Sequence, residues 1–140
     1  MSNQRVAMLD TDTWSLLVFK RDSKDPRVPR WRRAIEGYVL CISAQTRGEV
    51  LYGALRQGWC GTRMAAVRRS LDAMTVLHPT EGVVEAWARL RSDCSASGHS
   101  LHQKQHMGDA WVAATATAHR LPLLAGDQIF ESFPGCRCCP

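Results

Sequence analysis

Apolar residues in this chain follow two spacings. Short, mostly apolar runs stand at 6–9, 38–42, 75–77 and 121–125, and each reads as a buried strand. Between them, apolar positions recur every three or four residues. Trp14, Leu17 and Val18 mark a helix over 11–20. Val50, Leu51, Ala54 and Leu55 mark one over 46–57, and Met64, Val67 and Leu71 one over 62–73. Val83, Val84, Trp87 and Leu90 mark a helix over 80–94, and the small-residue stretch 108–119 reads as one able to pack closely on a sheet. A shorter helix is expected over 31–37. The polar segment 21–30 carries Pro26 and Pro29, which argue against a helix crossing it. Gly58 and Gly61 break one helix, and the segment 95–98 ends another. Strands alternating with helices predict an α/β domain. Its central parallel sheet has four to five strands, with helices on both faces.

Against this pattern, four acidic residues stand out. Asp10 closes the first strand, and Asp127 follows the run 121–125 and Gly126. Glu49 lies one turn into a helix, and Asp109 opens the Ala-rich one. In a parallel α/β sheet, strand C-termini and helix N-termini meet on one edge, where such folds place their sites. Carboxylates gathered there repel one another unless a hard cation neutralises them, and oxygen-only ligands favour Mg²⁺ or Mn²⁺. Asp12, two residues past Asp10, is a fifth candidate ligand if the backbone there is extended.

Each acid also has a local reading. Asp10-Thr11-Asp12-Thr13 supplies helix caps. Thr46-x-x-Glu49 fits a capping box. Asp109 complements a helix dipole, and Gly126-Asp127 fits a turn.

Composition narrows the picture. The length of 140 residues fits one domain, with 136–140 expected to be a disordered Cys-rich tail. No apolar run is long enough to span a membrane. No signal peptide is apparent at the N-terminus, so a cytoplasmic location is expected. Net charge is +5 despite the acids, so the remaining surface is basic. That suits a polyanion such as RNA, or serves solubility alone. Cys136, Cys138 and Cys139 lack a matching Cys/His pair at zinc spacing.

Five segments carry a family resemblance: 8–12 around Asp10, 42–54 around Glu49, 107–109, 109–116, and 123–127 with Phe130. Together they resemble the PIN-domain ribonucleases, and specifically the VapC-type toxins of type II toxin–antitoxin systems. The resemblance covers about residues 6–135. It implies a three-layer sandwich and an endoribonuclease that needs Mg²⁺ or Mn²⁺. Cleavage would leave a 5′-phosphate and a 3′-hydroxyl.

By that likeness Asp10 and Asp109 bind metal directly, Asp127 completes the site, and Glu49 binds a second cation or orients water. The likeness also implies a cognate antitoxin, inserting a basic side chain into the acidic pocket, and a homodimer to which the region 59–71 contributes. Arg47, Arg32 and Arg33, with Arg21 and Arg30, are candidate RNA or antitoxin contacts, or simply solvated charges. The sequence departs from the family at Asp12, where Asn is common, and in its tail.

Two other functions stay open. A haloacid-dehalogenase-like phosphatase would use Asp10 as nucleophile, with Ser43, Lys104 and Asp127 in its later motifs. A non-catalytic module would bind RNA or a partner without cutting.

Overall fold

The computed structural model describes residues 4–137. Four strands form one parallel sheet in the order β3-β2-β1-β4. They are β1 (Arg5–Leu9), β2 (Tyr38–Ser43), β3 (Thr75–Leu77) and β4 (Leu123–Leu124). The first strand is therefore interior. It pairs with β2 along its whole length and with β4 through Met8↔Leu123 and Leu9↔Leu124.

Alternation along the strands divides the core. Met8, Cys41 and Leu123 face α5 (Glu81–Ser97) and α6 (Met107–Ala118), where Val83, Leu90, Val112 and Phe130 are buried. Leu9, Ile42 and Leu124 face the other layer. That layer holds α1 (Thr11–Trp14), continued by a π-helical segment Ser15–Phe19, then α2 (Val28–Ala34), α3 (Ala44–Arg56) and α4 (Gly61–Asp72). The expected three-layer α/β sandwich is thus realised with four strands.

Several expected boundaries move, each for a local reason. α2 begins at Val28, not 31, because Pro29 occupies its first turn, where no N–H partner is needed. α3 begins at Ala44, two residues early, because the Ser43 side chain caps it by accepting from Thr46 N–H at 3.1 Å. α5 runs through Ser97 and stops at Gly98, whose φ of +79° suits glycine. β4 keeps only two residues.

In the region 59–71, expected to contribute to a dimer face, residues 60–63, 68 and 69 are exposed, while its apolar stripe is turned inward. Met64, Val67 and Leu71 are buried in the α1–α4 layer, and the half-buried Trp59 packs on Phe19 and under Arg63. Cys136 and Arg137, assigned to a disordered tail, are tied to the domain. Leu123 N–H donates to the Arg137 carbonyl at 2.8 Å, and Cys136 N–H to the Phe133 carbonyl at 2.9 Å. Cys138 and Cys139 lie outside the described residues.

Candidate active site

The C-terminal edge of the sheet carries a cavity of about 190 Å³ lined by Asp10, Asp12, Glu49, Asp109 and Asp127, with Thr11, Val112 and Phe130. All five candidate acids therefore meet on one concavity, although they come from opposite ends of the chain.

Asp10 is the most deeply held, at 3% exposure. It caps α1: Oδ1 accepts from Thr13 N–H at 2.9 Å and from the Thr13 hydroxyl at 2.7 Å. Its Oδ2 accepts from Gly126 N–H at 3.1 Å. Burial nevertheless raises its pKa, against the lowering effect of these bonds, and nearby Asp12 adds to the rise. The capping role of Asp10 is thus real. It leaves the carboxylate edge on the cavity.

Asp12 is exposed within the first turn of α1. The extended backbone that would put it on one face with Asp10 is absent, because Asp10 starts a helix there. Asp12 reaches the cavity all the same.

Glu49 does not form the capping box, since Thr46 N–H is already taken by Ser43. Its Oε1 accepts from Gln45 Nε2 at 3.1 Å, and its Oε2 lies 2.5 Å from the Thr11 hydroxyl. Thr11 thus spans from α1 to α3 and fixes the carboxylate across the cavity. Gly108 lets α6 approach this pair: a Cβ there would lie 2.9 Å from both Gln45 Nε2 and Glu49 Oε1.

Asp109 is half-buried. Its Oδ2 meets His106 Nδ1 at 3.1 Å. Burial raises its pKa most, and the charges of Glu49 and Asp127 raise it further, while His106 opposes them. Asp127, exposed, accepts from Ile129 N–H at 3.0 Å through Oδ1, which leaves Oδ2 without a donor among the described residues.

Sequence reasoning missed His106, Thr11 and Gln45. The His106/Asp109 spacing of three was readable, because residues three apart share a helix face. Thr11 and Gln45 gave no signal, because their role exists only across elements. Arg27 was also missed. Its Nε and Nη2 donate to Asp25 at 3.1 and 3.0 Å, and its Nη1 to the Gly126 carbonyl at 3.1 Å.

The expected arginines fare unevenly. Arg47 pairs with Asp72 on α4 at 2.9 Å and does not line the cavity. Arg32 reaches back to the Arg21 carbonyl at 3.3 Å, and both it and Arg33 are exposed on α2. The phosphatase reading loses its second and third motifs, because Ser43 is a buried cap and Lys104 does not line the cavity.

Beside the acids lies a larger, more apolar groove of about 470 Å³, which shares Glu49 and is framed by Gln45, Tyr52 and Trp111. Trp111 stacks on Trp87 with ring centroids 4.7 Å apart. Among the described residues, no helix is long and apolar enough to cross a membrane.

Comparison with known proteins bears on the family and the fold. Ribonuclease VapC4 of Mycobacterium tuberculosis is 33% identical over 102 residues, which cover 70% of this chain and 74% of that protein. The crystal structure of VapBC2 from Rickettsia felis bound to a promoter DNA fragment contains a chain of the same fold. It matches with a TM-score of 0.70 at 15% identity, over 95% of this chain and 96% of that one. A DNA-bound VapBC from Salmonella typhimurium also gives 0.70, at 21% identity and 96% coverage of both chains. The PIN domain model matches residues 7–135, so the chain belongs to the PIN domain family.

Proposed function

We propose that this protein is a metal-dependent endoribonuclease of the VapC toxin type, held inactive by a partner antitoxin. The observation that carries the reading is the gathering of Asp10, Glu49, Asp109 and Asp127 on one cavity, with Asp109 feeling the charge of two of the others. Likeness to a VapC ribonuclease over most of the chain supports the substrate class.

The donor set fits a hard cation, being all oxygen. Among the described residues, no three His, Cys, Asp or Glu side chains form a ready-made cage for an ion. The fit is therefore to a hydrated ion such as Mg²⁺, which keeps several of its own waters and needs only one or two carboxylates. Asp10 and Asp109 would hold it, with Asp127 Oδ2 beside them. When bound, it would make a water more acidic and offset charge building on the phosphate.

The chain's own groups would do the rest. Thr11 and Gln45 hold the Glu49 carboxylate at the cavity wall, from which it would orient the attacking water and accept its proton. Val112 and Phe130 wall the cavity with apolar surface, which strengthens every charge interaction inside it. A basic side chain of an antitoxin segment would satisfy the same carboxylates with charged hydrogen bonds. Exposed Tyr52 and Leu55 on α3 and Val84 on α5 are the better apolar candidates for a homodimer face, since Met64, Val67 and Leu71 of the region 59–71 are buried.

The test is cleavage of an RNA pool by purified protein with Mg²⁺, with Mn²⁺ and with chelator. Mapping of the 5′ ends should show 5′-phosphates. RNA binding without cleavage under all three conditions would favour the non-catalytic module instead.

A further inference from the structure

Next to the acidic cavity lies a second one of about 440 Å³, between α2 and the segment 126–131. The two share Asp127 and Phe130. Among the described residues, the only cationic side chains lining the second cavity are Arg27 and Arg30, one helical turn apart.

Arg27 is held rather than free. Asp25 takes its Nε and Nη2, the Gly126 carbonyl takes its Nη1, and the guanidinium lies 4.7 Å from the centre of the Trp31 ring. Three of its five N–H groups are engaged, which leaves two for a ligand. Gly126 joins the two cavities physically. Its carbonyl holds Arg27 while its N–H holds Asp10 Oδ2. A Cβ on Gly126 would meet Asp12 and Trp31 at 3.2 Å, so this junction is tightly packed. Arg30 is exposed and its side chain makes no hydrogen bond or ion pair among the described residues.

We propose that Arg27 and Arg30 form a phosphate-binding subsite that grips the RNA backbone at a linkage flanking the scissile one. This rests on the ribonuclease reading above. A strand whose scissile phosphate sits over the carboxylates must extend past them, and Asp127 on the shared wall and Glu131 in the second cavity repel its charge. On the α2 wall, Arg30 brings a charge with no ion-pair partner among the described residues, and Arg27, whose own charge Asp25 offsets, brings two directed N–H donors. Because Arg27 and Asp10 are fastened to the same glycine, the spacing between subsite and acids is fixed. The pair therefore positions substrate and takes no part in the chemistry.

The experiment uses short RNA substrates in which one phosphate at a time is replaced by an uncharged methylphosphonate. Arg27→Ala and Arg30→Ala should each raise KM by roughly fivefold while kcat stays within about twofold, as for an interaction made equally in ground and transition states. The slope of log KM against log salt should shrink by about 0.7 for each phosphate no longer gripped. Wild type should lose a similar factor with one particular neutral linkage, and the Arg27→Ala protein should lose nothing further with it. Arg27→Lys, which keeps the charge, should recover part of the loss.

Unchanged KM in both Ala variants, or losses that simply add, would overturn the subsite and leave this face to a protein partner. The two levels separate cleanly. If wild type cleaves no RNA with Mg²⁺ or Mn²⁺, the ribonuclease reading fails. If wild type cleaves, Asp109→Asn does not, and the arginine variants have normal KM, only the subsite fails. Arg30→Ala guards against misfolding, because the Arg30 side chain makes no hydrogen bond or ion pair among the described residues.

Discussion

The site has two halves that are built differently. At the strand end, Asp10 is 3% exposed and both its oxygens are bonded to backbone or to Thr13. On the helix side, the Asp109 side chain is 30% exposed and bonds to His106, while Glu49 is steadied by Gln45 one turn earlier on α3 and by Thr11 from α1. The first half is part of the fold. The second is mounted on it. A carboxylate can thus share one cavity and one chemistry with another, yet differ in what its removal does to the protein.

Activity should not separate the halves, while stability should. Asp10→Asn and Asp109→Asn are each expected to reduce cleavage on the order of 10³-fold, measured with saturating RNA and limiting Mg²⁺. Near-wild-type rates in both would sink the site assignment.

The two close glycines come next. Gly108→Ala pushes on the far ends of Gln45 and Glu49, which can swing aside. It should keep its Tm and lose roughly 10–100-fold in kcat through the displaced Glu49. Gly126→Ala meets packed Asp12 and Trp31 instead. It should cost about 1–3 kcal/mol of stability by denaturant titration.

Third, the metal-free Asn variants should diverge in denaturant midpoint. Asp109→Asn relieves carboxylate repulsion and should gain roughly 1 kcal/mol. Asp10→Asn presents an amide to Gly126 N–H, leaving a buried donor unpaired, and should lose about 1–3 kcal/mol. Equal shifts would erase the distinction between the halves.

The smallest effect is on pH dependence. Both aspartates have pKa values raised above the ordinary 3.8. A raised carboxyl binds its proton more tightly in the folded state, so its contribution favours folding at low pH. It is lost as pH rises through the folded pKa. Metal-free wild type should therefore lose some stability as pH climbs above about 4, and Asp109→Asn should lose less. A wild-type curve rising through that range would contradict the sign.

The sequence made the frame legible because its signals were local. β1, β2 and β3 stand where short apolar runs predicted them; the C-terminal halves of β1 and β2 are buried on both faces and so show no polar alternation, while the edge strand β3 is marked by Val76 and Leu77 alone. The five acids were legible because strand ends and helix starts converge in any parallel sheet.

What failed depended on partners distant along the chain. Arg47 looked free, but Asp72 claims it from the next helix. The Thr46 capping box was plausible, yet Ser43 ended the strand and took the cap first. Thr11 carries no hint in the sequence that its hydroxyl reaches Glu49. The proline rule misplaced α2, because Pro29 is forbidden inside a helix and welcome at its start.

The strand order also bears on how the protein is made. A ribosome delivers β1 first, yet one of its two neighbours, β4, comes more than a hundred residues later. Asp10 must wait for the Gly126 N–H, and the cavity waits for Asp127. Such a distant pairing forms late, after the intervening chain has been ordered. A growing chain that stops before residue 123 carries three of the four main acids but no finished pocket. The pocket is therefore complete only once the segment carrying Gly126, Asp127 and Phe130 has emerged, and every shorter nascent chain displays its acids without the cavity that joins them.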